Sequence, residues 1–121
     1  TPIFSVLNYY EVIMNTGDIV YKRIPKMGDK VRPCIAIVSN TLERYLIPIS
    51  SKNWNTLSTV SISFKDRRGS AVLNEAIIDR VDVTEQTNWR ISGKSFHKIF
   101  ERLNERLDDT WREFICNYGV Q

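Results

Sequence analysis

Little in this chain offers the usual anchors for metal or redox chemistry. Its 121 residues include two cysteines, one histidine and no close cluster of the two types. Cys34 lies in an expected buried strand and Cys116 at the end of an expected helix, without CxxC spacing. They are expected to be free thiols in a reducing cytosol, and neither a metal site nor a cofactor is implied. No apolar run approaches the ~20 residues of a membrane helix. The start has no charged region followed by a small-residue cleavage site, so the expected location is cytoplasmic, with no membrane role. Neither an internal repeat nor a low-complexity segment is present.

What is there is the composition of one folded domain, 42% hydrophobic and 26% charged. The net charge of +3 is modest but unevenly placed. Lys22, Arg23, Lys26, Lys30 and Arg32 share a short window with the single acid Asp29, and Lys65, Arg67 and Arg68 surround Asp66. The rest of the chain is net acidic. Positive charge gathered on two loops suits a polyanion or an acidic partner.

The pattern predicts a mainly β domain with a C-terminal helix. Residues 1–13 read as an extension or edge strand, because Met14 begins a stretch resembling a translation start; residues 14–121 form the single domain. Strands are expected at Ile19–Arg23, Cys34–Val38, Tyr45–Ile49, Thr59–Phe64, Ala71–Leu73 and Ala76–Val83. The near-continuous apolar runs of the second and third imply burial on both faces or in a small barrel. Thr59–Phe64 alternates in the manner of a half-buried strand. Turns are expected at Ser39–Thr41 and Asp66–Gly69, and a basic flap at Pro25–Lys30. Phe96, Ile99, Phe100, Leu103, Leu107, Trp111 and Phe114 recur at three- and four-residue spacing. They predict one long amphipathic helix over about Lys94–Asn117.

An antiparallel pair running from Arg32 to Ser51 would bring a guanidinium beside the Ser50 and Ser51 hydroxyls at one end of a sheet, which suits a phosphate. Trp54 is placed to stack on a base or to pack on the domain. His97 reads as structural or solvated.

Gly17-Asp18-Ile19-Val20, Arg32-Pro33, Val38-Ser39-Asn40, Pro48-Ile49-Ser50-Ser51 and the final helix, in this order, resemble the MazF/PemK/Kid toxin family over about Asn15 to Asp109. That resemblance implies a small SH3-like barrel closed by the helix, and a homodimer. The implied activity is metal-independent cleavage of single-stranded RNA by 2′-hydroxyl attack, silenced by an antitoxin. An acidic protein is the favoured antitoxin. The segment Tyr45–Lys52 with Trp54 is also similar to ToxN/AbiQ-type toxins, whose antitoxin is RNA. By position, Arg32 falls on the family's catalytic arginine, and Ser50 and Ser51 on its Thr-Ser pair. The arginine and aspartate that some members carry on a later strand fall on Asn74 and Ala76. Glu75 is the candidate base through a one-residue shift; otherwise the pair is missing. Lys22, Lys26, Lys30, Lys52 and Trp54 would bind the RNA. The rival expectation is a noncatalytic member that poisons a protein target, as gyrase-poisoning relatives do, or an inactive RNA-binding module.

Overall fold

A computed structural model describes residues 16–39, 41–52, 54, 56–82, 85 and 89–118. The expected extension at residues 1–13 lies outside them. Six strands run in chain order: β1 (Ile19–Ile24), β2 (Lys30–Val38), β3 (Glu43–Ser50), β4 (Thr59–Phe64), β5 (Arg67–Val72) and β6 (Ile77–Arg80). Two 3-10 turns interrupt them, Pro25–Met27 after β1 and Leu73–Glu75 after β5. Helices α1 (Gly93–Arg106) and α2 (Asp109–Asn117) follow.

Every pairing is antiparallel, in the order β1-β2-β3-β5-β4, with β6 on β3. Among the described residues β1 pairs only with β2 and β4 only with β5. The sheet is therefore not closed into a barrel. β3 is the hinge of the arrangement. Residues 44–48 pair with β2 as far as Cys34↔Pro48, and then Ile49 and Ser50 pair with Ala71 and Ser70 of β5. Pro33 and Pro48 flank the end of the first ladder, and neither has an N–H to extend it.

The continuous apolar runs are buried on both faces, as their composition implies. Ile35, Ile37, Tyr45, Ile47 and Ile49 join Ile99, Leu103, Trp111 and Phe114 of the helices in the main core. The intervening residues Cys34, Ala36 and Leu46 form a second cluster with Val20 and Ile24 on the opposite face. Tyr45 meets Trp111 edge-on, ring centres 5.1 Å apart.

Two expectations are corrected. The single helix is two, because Leu107 adopts a left-handed conformation (φ 48°) and Asp108 caps the next helix, its carboxylate accepting from the Trp111 N–H at 3.0 Å. A left-handed Leu costs about 1–2 kcal/mol. The bend lets Trp111 and Phe114 bury completely, each worth about 1.5–3 kcal/mol, so burial wins. The second correction concerns the β4–β5 turn. Lys65 and Asp66 both have positive φ (51° and 60°) and join Phe64 to its partner Arg67. That is the two-residue turn whose twist matches the flanking strands. Arg67 and Arg68 therefore lie in β5, not in the turn.

Candidate functional site

The strand exchange at Pro48 leaves a gap between the start of β2 and the end of β5. There the surface opens into a cleft of about 490 Å³. One wall is the β1–β2 connection with Lys26, Met27 and Arg32; the other is Val72 with Asn74 and Glu75 of the second 3-10 turn. Trp54 and the hydroxyl residues Thr56, Ser58 and Thr59 complete it.

Arg32 enters the cleft half-buried. Its Nε and Nη2 donate to the Met27 carbonyl oxygen at 3.3 and 3.1 Å. That tie holds the 3-10 turn, whose exit needs the left-handed Gly28 (φ 80°) and Asp29 (φ 54°). A guanidinium has five N–H donors, and among the described residues Arg32 uses two of them, both on the Met27 carbonyl oxygen. Opposite, Leu73 is fully buried and donates its N–H to the Ser58 carbonyl oxygen at 2.8 Å. With Leu73 anchored inward, the short turn presents Asn74 and Glu75 to the cleft. Ala76 is buried, so the carboxylate available on this wall is that of Glu75.

The Trp54 loop is held at several points. The Trp54 N–H donates to Ser70 Oγ at 3.0 Å, and the Thr59 hydroxyl donates to the Trp54 carbonyl oxygen at 3.2 Å. From α1, Arg102 Nη1 donates to the carbonyl oxygens of Thr56, Leu57 and Thr59 at 3.2–3.4 Å.

Four of the expected residues thus meet in one cleft: Arg32, Glu75, Lys26 and Trp54. The others do not line it. Ser50 is 4% exposed, and its hydroxyl accepts from the Lys52 N–H at 3.2 Å. The β2–β3 ladder ends at Cys34↔Pro48, so Arg32 has no cross-strand partner on β3, and neither Ser50 nor Ser51 lines the cleft that Arg32 enters. Ser51, Lys52 and Lys30 are exposed outside the lining. The hydroxyl residues that line the cleft are Thr56, Ser58 and Thr59, the last buried with its hydroxyl tied to the Trp54 carbonyl oxygen and the Thr56 N–H.

Lys22 belongs to a separate ionic cluster that the sequence pattern did not reveal. Arg44, 3% exposed in the middle of the sheet, donates from Nη1 to Glu85 Oε2 at 2.8 Å. Its Nη2 donates to Glu85 Oε1 at 3.0 Å and to Asp79 Oδ2 at 3.2 Å. Lys22 Nζ lies 2.6 Å from Glu85 Oε1 and 3.8 Å from Asp79 Oδ2. Burial pushes the Glu85 pKa up, but the hydrogen bonds and charges of Arg44 and Lys22 outweigh it and hold the carboxyl below its ordinary value. Burial also opposes the charge on Arg44, and Glu85 and Asp79 together more than restore it. Two cations against two acids leave this cluster neutral, which makes it a structural unit with no free charge to offer a ligand.

Set against known proteins, the chain matches no family model and no curated protein. The chemistry of the cleft is therefore argued from its own residues. It is lined by a fixed cation with further donors, a flexible cation, one carboxylate, an exposed indole and hydroxyl residues. These are the groups needed to hold a phosphodiester, stack a base and move a proton.

Proposed function

We propose that this protein is an endoribonuclease toxin that cuts single-stranded RNA in the cleft between Arg32 and Glu75. The observation that carries the reading is that Arg32 of β2 and Glu75 of the second 3-10 turn line one cleft together with Lys26 and Trp54. Glu75 takes the proton of a ribose 2′-hydroxyl, and the 2′-oxygen attacks the adjacent phosphorus. The bond from phosphorus to the 5′-oxygen breaks, and that oxygen takes a proton from water at the open side of the cleft. The products are a 2′,3′-cyclic phosphate and a 5′-hydroxyl. Arg32 stabilises charge on the non-bridging oxygens, Lys26 holds a neighbouring phosphate, and Trp54 stacks a base. The nucleophile is the RNA's own hydroxyl, so the scheme is metal-independent.

With this reading go the other properties implied by the MazF/PemK/Kid resemblance: an SH3-like ancestry for the open sheet, a homodimer, an antitoxin (an acidic protein in preference to RNA) and a cytoplasmic setting. They rest on the sequence pattern in Gly17–Val20, Arg32-Pro33 and Pro48–Ser51.

The test is incubation of purified protein with single-stranded RNA in EDTA, followed by analysis of the ends. Cyclic-phosphate ends are expected. Glu75→Gln should slow cleavage by on the order of 10²–10⁴-fold, and Arg32→Ala should abolish it while the domain stays folded. Undiminished cleavage by both variants overturns the assignment. The tie between Arg32 and the Met27 carbonyl favours a second reading, in which Arg32 only braces the loop and the protein binds its target without cutting. RNA binding with no cleavage by the wild-type protein would decide for that reading.

A further inference from the structure

A second depression, of about 270 Å³, adjoins the cleft and shares Trp54, Thr56 and Thr59 with it. Its far wall is the face of α1 carrying Lys98, Glu101 and Glu105, one-turn spacings that place all three along one stripe. Its size lies just below the roughly 300–1,000 Å³ of pockets for drug-sized ligands, which suits a single base. Building on the RNA-cleaving reading, we infer that this depression is a base-reading subsite for a guanine next to the cut phosphodiester.

The chemistry of the wall selects the base. Trp54, 39% exposed, lines both depressions. A base stacked there turns its edge toward α1. Glu101 and Glu105 are acceptors, and a carboxylate offers two oxygens side by side. Guanine alone among the RNA bases presents two adjacent donors, N1–H and the N2 amino group. Adenine and cytosine place an acceptor beside their amino group, and uracil flanks its single N–H with two acceptors, which a carboxylate repels. Glu101 uses one oxygen, Oε1, toward His97 Nε2 at 2.8 Å, and Glu105 lies 3.8 Å from Arg102 Nε. Each retains acceptor capacity. Lys98 makes no ion pair with a described residue and is available for the flanking phosphate. Arg102 donates to the carbonyl oxygens of Thr56, Leu57 and Thr59, which ties the segment after Trp54 to this same helix.

The test compares an eight-residue oligouridylate with the same oligomer carrying one central guanine, by fluorescence anisotropy, with cleavage mapped in parallel. The wild-type protein should bind the guanine oligomer on the order of ten-fold tighter, with inosine, which lacks the N2 amino group, in between. In the Glu101→Ala/Glu105→Ala protein the guanine oligomer should lose its advantage over oligouridylate, and the ratio should fall to one. Alanine keeps α1 helical. A wild-type ratio of one, or a ratio that survives in the double variant, overturns the subsite. A guanine preference without any cleavage overturns the nuclease reading and leaves the subsite standing; cleavage indifferent to guanine does the reverse.

Discussion

Glu85→Gln separates the ionic cluster from the rest of the fold and gives a prediction with a worked size. Arg44, Lys22, Asp79 and Glu85 are neutral together; the variant leaves them at a net charge of one, with Arg44 only 3% exposed. Breaking a buried ion pair outright costs about 3–5 kcal/mol. Two features reduce that here. Asp79 still accepts from Arg44 Nη2 at 3.2 Å, and the Glu85 side chain is 21% exposed, so water screens part of the change. The expected loss is about 2 kcal/mol at neutral pH, or roughly 8 °C in Tm for a domain of this size. The pH dependence follows from the lowered pKa of Glu85. A carboxyl with a depressed folded pKa contributes stability that is complete above its unfolded value of about 4.3 and is lost as pH falls through the folded value. The gap between wild type and variant should hold constant from pH 7 down to about pH 5 and close on further acidification, as Glu85 becomes neutral like Gln. Urea titrations followed by tryptophan fluorescence measure this, with the fully buried Trp111 as reporter. A loss below about 0.5 kcal/mol at pH 7, or a gap that persists in acid, refutes the assignment of a buried, charge-balanced unit.

Three further outcomes are expected. Gly69→Ala would put a Cβ 2.7 Å from the Ser50 carbonyl oxygen and 3.1 Å from Ile49 Cγ2, forcing β5 off the end of β3. A loss of about 1–3 kcal/mol is expected in urea unfolding, and an unchanged midpoint would contradict the close approach. Burial pushes the Cys34 thiol up to about 12, while Cys116 is exposed, so a thiol reagent at pH 8 should label one site quickly and the second only after denaturation. Leu107→Gly removes the left-handed penalty of about 1–2 kcal/mol and adds about 0.5–1 kcal/mol of chain entropy, so Tm should rise slightly; a fall would mean that the half-exposed Leu107 side chain packs more than its position suggests.

The elements that were legible in the sequence are those fixed by local periodicity. Alternation marked β4, the two-sided apolar runs marked β2 and β3, and three- and four-residue spacing marked the helices. The errors share one cause, a competition settled at long range or by a single backbone conformation. Leu107-Asp108 keeps the helical spacing on either side, so periodicity passed over the break, although Asp108 before Asp109-Thr110-Trp111 is a capping signal. Ser50 looked like a companion of Arg32 because a two-strand register was extended past the point where β5 takes β3 over. Arg44 carried no signal in the sequence: its partners lie 35 and 41 residues further along, a separation no local pattern encodes.

The same exchange explains why the cleft exists at all. Had β2 and β3 stayed paired to the end, the register Cys34↔Pro48 would have carried Arg32 opposite Ser50, and backbone ladder would fill the space. Because β3 turns to β5, β2 runs on beside an opening, and Arg32 there is paired with Lys22 of β1 and with no residue of β3. The opposing wall is set by the same event: β5 ends at Val72, and the buried Leu73 swings Asn74 and Glu75 toward the vacated edge. Arg32 and Glu75 are therefore brought to one cleft by a topological choice made at Pro48 and Gly69, neither of which touches a ligand in the proposed scheme. On this account Gly69→Ala should disturb RNA binding as well as stability, whereas Glu85→Gln, acting on the opposite side of the pairing scheme, should lower stability and leave binding intact above its new unfolding midpoint.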